Sequence, residues 1–156
     1  ENDIRFQKEK GGGCLLDIGC YCFDAIHKIT GKKSNIIESK TLFNKDNVEY
    51  FSSALVDSGS VSAKITCGYD RDVEQGLLLR GSCGTVYVDL PFIQQNEGVN
   101  VFITNNDGVS KKSLGPDDTF SKEFLDFYRR IQEGDPPDLS ISGWNTESIE
   151  QIRRLR

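Results

Sequence analysis

The chain predicts an α+β fold: an open, predominantly antiparallel sheet with helices packed on one face. Two observations carry that expectation. An amphipathic helical stretch near the start gives way to a long run of period-two alternation, and helical periodicity returns only from about residue 119. The links between the alternating segments are short, whereas parallel strands need crossovers of about a dozen residues or more. At 156 residues the chain suits one domain, residues 1–156, with a real buried core.

Residues 1–13 are polar and end in Gly11, Gly12 and Gly13. A first helix is expected from about Leu15 to Thr30, stopping at Gly31, the residue type that takes a left-handed cap most readily. At roughly 100° per residue, Leu15, Ile18, Cys22, Ala25, Ile26 and Ile29 share one apolar sector. Opposite them Asp17, Tyr21, Asp24 and Lys28 form a narrow polar stripe. Strands follow at Asn35–Phe43, and at Val48–Val56 and Val61–Cys67 around a turn over Asp57–Ser60. Leu77–Arg80 and Thr85–Leu90 are joined through Gly81 and Gly84, and Val99–Thr104 and Val109–Leu114 flank Asn106-Asp107-Gly108. A second helix spans about Thr119 to Glu133, with Asp117 or Asp118 at its start and Phe120, Phe124, Phe127, Tyr128 and Ile131 on its apolar face. A last helix begins near Asn145 and packs through Ile149, Ile152 and Leu155.

Composition excludes some partners. A net charge of −5, from 19 basic against 24 acidic residues, argues against a phosphate-backbone ligand, so no nucleic acid is expected. No apolar run approaches the ~20 residues of a membrane span, and no signal peptide is visible. The five cysteines are odd in number, contain no C-x-x-C pair and have only one histidine for company. Reduced thiols, a cytoplasmic location and no metal are the expectation. With no methionine and an end inside a helical pattern, the chain reads as a fragment.

The polar stripe is where chemistry is expected. A tyrosine hydroxyl gives or takes a proton when its pKa, ordinarily ~10, is lowered by a nearby cation. Asp17, one turn before Tyr21, reaches whatever Tyr21 touches. Gly11, Gly12 and Gly13, like Gly19 within the helix, let a ligand or another backbone come close. A plainer reading stands beside this one: Asp17 charges a helix start, Tyr21 is half-buried packing, and Gly19 is a helix–sheet contact. His27, the only histidine, is expected as a solvated side chain near the helix end, and Asp24 as a partner of Lys28 or of substrate. No G-x-G-x-x-G dinucleotide fingerprint occurs, and Gly81 to Gly84 reads as a turn.

Several motifs in order carry a resemblance. Gly11-Gly-Gly-x-Leu-x-Asp17-x-Gly-x-Tyr21 with Asp24 and Gly31, the hairpin strand Ser60–Cys67, the strand pair Leu77–Pro91 around Gly81 and Gly84, and Glu123-Phe124-x-x-Phe127 together resemble the Gfo/Idh/MocA family of NAD(P)-dependent oxidoreductases. The resemblance covers most of the chain. It implies a C-terminal domain of the dihydrodipicolinate reductase-like type that forms the substrate wall, with a Rossmann domain elsewhere holding NAD or NADP. The family often has a histidine four residues after the aspartate. Tyr21 stands there instead, which resembles the branch of glucose–fructose oxidoreductase and dihydrodiol dehydrogenase. The family's Glu-Lys-Pro motif is absent; Glu9-Lys10-Gly11 is not that motif.

The resemblance therefore implies Tyr21 and Asp17 as catalytic residues, Gly12, Gly13 and Asp24 as substrate-binding residues, and no cofactor-binding residue in this chain. It implies a sugar, polyol or related hydroxyl/carbonyl substrate and a homodimer or homotetramer built through the open sheet face, with the isolated fragment inactive. Two alternatives stay open: a module that serves mainly for assembly, and a relative that performs NAD-assisted glycoside hydrolysis or dehydration.

Overall fold

The structure is a computed structural model that describes residues 3–70, 74–92 and 98–155. Two 3-10 turns, Ile4–Phe6 and Lys8–Lys10, precede a π-helical segment, Leu15–Gly19, and helix α1, Cys20–Thr30. Then come β1 (Asn35–Phe43), β2 (Glu49–Ser58), β3 (Val61–Gly68), β4 (Leu77–Gly81), β5 (Gly84–Val88), β6 (Val99–Asn105), β7 (Gly108–Leu114), α2 (Thr119–Glu133) and α3 (Ser140–Arg154). The α+β class and the antiparallel pairing hold throughout. The strands divide into a three-stranded and a four-stranded sheet, where alternation alone suggested one, and the chain falls into two compact units.

The first unit comprises Glu1–Asp72 and Asp138–Arg156. Its sheet runs β1-β2-β3, and the β2–β3 hairpin turns on Gly59 and Ser60 alone, with Ser58 paired to Val61. Gly59 takes φ +75°, which a two-residue turn of this kind demands. The turn is tighter than the four-residue one expected because Ser58 is buried: its hydroxyl donates to the carbonyls of Lys32 (3.2 Å) and Lys33 (3.1 Å) and so stays within the sheet. Side chains alternate along β2, so Ser52, Ala54, Val56 and Ser58 point to one face and Leu55 to the other. Ala54 and Val56 of the inward set join Cys14, Leu15, Phe23, Ile26, Ile65, Cys67, Ile149 and Ile152 in one core beneath the helices. Helix α3 also satisfies an irregularity in β1: Gln151 Oε1 accepts from the Ile36 amide at 3.0 Å, next to the register shift between Ile36 and Glu38. This helix starts five residues before the expected Asn145, with Asp138 Oδ1 taking the Ser140 amide at 2.9 Å.

The π segment changes the face that α1 buries. A π turn carries one extra residue, so every later side chain lags by about one position. Phe23, outside the expected apolar sector, is fully buried, while Ile29, inside it, is half exposed. The same shift turns His27 inward, a correction to the solvated side chain expected from its place on the helix. His27 is 0% exposed, with Nδ1 2.7 Å from Asn145 Oδ1 and Nε2 2.9 Å from Ser34 Oγ. An amide oxygen only accepts, so in the neutral ring Nδ1 donates and Nε2 takes the Ser34 proton. Phe23 stacks on one side of the ring and Trp144 meets it edge-on. We expect His27→Leu to lower stability by about 2–3 kcal/mol, because it takes the partner from the partly buried Asn145 amide and the buried Ser34 hydroxyl. Urea unfolding with an unchanged m-value is the check.

The second unit is Val73–Pro137. Its sheet is a meander, β4-β5-β6-β7. Asp89 braces it by accepting from the Asn100 backbone at 2.9 Å and from its side-chain amide at 2.8 Å. Helix α2 opens on Asp118, whose carboxylate takes the Ser121 amide at 2.9 Å, and closes on Gly134 at φ +66°. Its stripe of Phe120, Phe124, Phe127, Tyr128 and Ile131 is exposed.

Candidate active site

The site is built by the segment from Asp3 to Tyr21 and by the end of β3, all within the first unit. The N-terminal turns fold back onto the glycines. Asp3 caps the first turn by accepting from the Arg5 amide at 2.9 Å, and its Oδ1 also takes Arg5 Nε at 3.1 Å. The Gly12 amide donates to the Gln7 carbonyl and the Gly13 amide to the Arg5 carbonyl, both at 2.9 Å. These glycine amides are therefore engaged within the chain, and the glycines act through shape. A Cβ on Gly12 would stand 2.6 Å from the Arg5 carbonyl oxygen. Gly13 sits at φ +125°, where a Cβ would come within 2.1 Å of Glu49 Oε2.

Glu49 was not singled out in the sequence. Glu49 is 4% exposed, and its carboxylate accepts from Arg153 Nε at 2.9 Å, while Arg153 Nη1 donates to Glu150 at 3.2 Å. Arg153, in the last turn of the last helix, thus pins β2 beneath the glycine turn. Nothing in local spacing joins residues so far apart along the chain.

Asp17 lies in the π segment and Tyr21 in the first turn of α1. Both are exposed, Tyr21 at 51%. Gly19 between them is buried, and a Cβ there would meet Cys67 Sγ at 3.3 Å, so the absent side chain serves the helix–sheet contact. Asp24 pairs with Lys28 at 2.7 Å, the ordinary i, i+4 arrangement of a helix surface. Tyr69, just beyond β3, is the residue the sequence did not single out. Its hydroxyl donates to Asp17 Oδ2 at 3.0 Å, and its ring meets Phe6 edge-on at 5.2 Å. Burial pushes the Tyr69 phenol well above its usual pKa, and the hydrogen bond to Asp17 holds the proton further. Arg5 places a cation in the field of both Asp17 and Tyr69.

Burial acts on the thiols of this unit. Cys14 and Cys67 are buried with sulfurs 3.9 Å apart, and that contact followed by burial raises the Cys67 pKa. Burial lifts Cys22 to about 11. All five cysteines are free, and among the described residues no group of three or more histidine, cysteine or acidic side chains is placed to hold a metal. One shallow depression of this unit lies beside Ser39, Phe43, Ile152 and Leu155. Asp17 and Tyr21 are both solvent-exposed in this unit.

Known proteins resemble the chain along nearly its whole length. A dTDP-3,4-didehydro-2,6-dideoxy-alpha-D-glucose 3-reductase of Saccharopolyspora spinosa is 31% identical over 159 residues, an alignment covering 99% of this chain and 48% of that protein. A 3-ketoreductase from Actinomadura kijaniata, solved with NADP and TDP-benzene, superimposes with a TM-score of 0.81 at 26% identity, over 97% of this chain and 46% of that one. An aldose-aldose oxidoreductase from Caulobacter crescentus, complexed with glycerol, shares the fold with a TM-score of 0.81 at 19% identity, over 99% of this chain and 50% of its own. The chain spans about half the length of the curated relatives it matches. Residues 1–87, which hold the glycine turn, Asp17, Tyr21 and Tyr69, match the GFO/IDH/MocA C-terminal domain, and the chain belongs to that family.

Proposed function

We propose that this chain is the substrate-binding C-terminal domain of an NAD(P)-dependent oxidoreductase that acts on a sugar, polyol or related hydroxyl/carbonyl compound. The observation that carries the reading is the pairing of an exposed phenol, Tyr21, with an exposed carboxylate, Asp17, one turn apart on a helix that opens on a glycine turn. In this reading Tyr21 Oη gives or takes the proton of the reacting oxygen, and Asp17 orients the substrate hydroxyl beside it. Gly12 and Gly13 shape the wall where the N-terminal turns meet the helix, and Asp24 lies at the rim.

The residues here do not fit a dinucleotide. No G-x-G-x-x-G occurs, and the amides of Gly12 and Gly13 already serve the chain's own carbonyls. NAD or NADP, the hydride carrier of such enzymes, belongs in this proposal to a Rossmann domain in the part of the protein that this chain does not span. Residues 1–156 then serve as one substrate-binding and oligomerisation domain, inactive alone.

The relatives' names support the substrate class. Three of them are reductases of a dTDP-linked keto sugar and one is a D-xylose dehydrogenase. A nucleotide-linked keto sugar is the finer proposal. The open face of the β1–β3 sheet, where Leu42 and Leu55 are exposed, suits pairing with a second copy as a homodimer or homotetramer. No helix among the described residues is long and apolar enough to cross a membrane. A cytoplasmic enzyme without nucleic-acid or membrane partners completes the proposal.

The test is a panel of aldoses, polyols and dTDP-linked keto sugars offered to the intact protein with NADH or NADPH, followed by nicotinamide absorbance. Turnover on a sugar-class substrate by the intact protein, and none by residues 1–156 alone, is the expected result. Turnover by the isolated chain contradicts it.

A further inference from the structure

We propose that Tyr69 is a positioning residue, whose hydroxyl holds one oxygen of the Asp17 carboxylate and leaves the other for substrate. The inference rests on the reading of Asp17 as a substrate partner. It does not follow from the stripe on the helix, since Tyr69 comes from the sheet.

Three features hold the tyrosine in place. Its amide donates to the Tyr50 carbonyl at 2.8 Å, which extends the β2–β3 ladder one residue past the end of β3. Its ring packs partly against the hydrophobic core and meets Phe6 edge-on at 5.2 Å. Its hydroxyl then reaches Asp17 Oδ2 at 3.0 Å. Among the described residues, Asp17 Oδ1 makes no hydrogen bond, so the carboxylate is gripped on one side only. A carboxylate on a helix surface otherwise samples several rotamers, and fixing one of them is what a substrate-orienting group requires.

The two tyrosines therefore differ in kind. Tyr69 is partly buried, faces Asp17, Arg5 and Cys14, and keeps its proton, so it is a constant donor. Tyr21, by contrast, is half exposed on the helix.

A double-mutant cycle in the intact protein tests this, with turnover measured on the sugar-class substrate identified for it. Tyr69→Phe keeps the ring against Phe6 and removes only the hydroxyl. We expect kcat to fall about tenfold, with the KM for the nicotinamide and the thermal midpoint near wild type. Asp17→Asn should fall further, and the double variant should be no slower than Asp17→Asn alone within about threefold, because the second change removes a group that acts through the first. Wild-type turnover in Tyr69→Phe, or a further loss of about tenfold in the double variant, overturns the inference while leaving the role of Asp17 standing. Wild-type turnover in Asp17→Asn overturns the reading of the site and this inference with it. If Tyr69→Phe loses its fold, 3,5-difluorotyrosine at position 69 retains the hydroxyl and alters its acidity; a changed kcat at fixed pH is expected, and an unchanged one overturns the proposal.

Discussion

Tyr21→Phe in the intact protein is expected to lower kcat by about 100- to 1,000-fold, the usual worth of a positioned general acid or base. The variant deletes one oxygen from a half-exposed ring on the first turn of α1, so the fold has little reason to respond. The KM for substrate should move far less than kcat, since the lost interaction matters most while the proton is in flight. Stopped-flow or steady-state nicotinamide absorbance across a pH series measures both. Unchanged turnover would favour the assembly module, in which Tyr21 is a surface residue and the domain serves to pair copies through its sheet.

Gly13→Val is expected to have the largest effect on folding, on the order of 4 kcal/mol or more. Two costs coincide there. A β-branched residue is strained at φ +125°, and its Cβ would lie 2.1 Å from Glu49 Oε2. The carboxylate cannot simply swing away, because it is buried and tied to Arg153. Breaking that pair leaves a charge without its partner in the interior. Marginal stabilities of about 5–15 kcal/mol leave little after such a loss, so low soluble yield and a sharply reduced urea midpoint are expected. A well-folded Gly13→Val protein would show that the turn relaxes easily and that the glycine is not needed for packing.

What local spacing encodes was legible, and what depends on distant contacts was not. The strands and hairpins follow from period two and turn residues, and the stripe of Asp17 and Tyr21 follows from the helical period. The π segment adds a single residue to one turn, which no periodicity over a short helix resolves, and that residue exchanges Phe23 for Ile29 in the core. His27 was misplaced for the same reason. Its burial also depends on Asn145 and Ser34, polar residues with no sequence signal of their own. Glu49 and Arg153 meet across the fold, and Tyr69 follows a regularly alternating strand, where an aromatic residue signals nothing beyond β-propensity. Once the hairpin and helix are docked, each of these becomes plain.

The most direct test of the central claim is a crystal structure of the intact protein with a sugar-class substrate or analogue and its nicotinamide bound. The account predicts Tyr21 Oη and an Asp17 oxygen within about 3 Å of adjacent oxygens on the sugar, with Tyr69 still bonded to Asp17. A sugar seated elsewhere, with Tyr21 turned to bulk solvent or buried against a second copy, would contradict it.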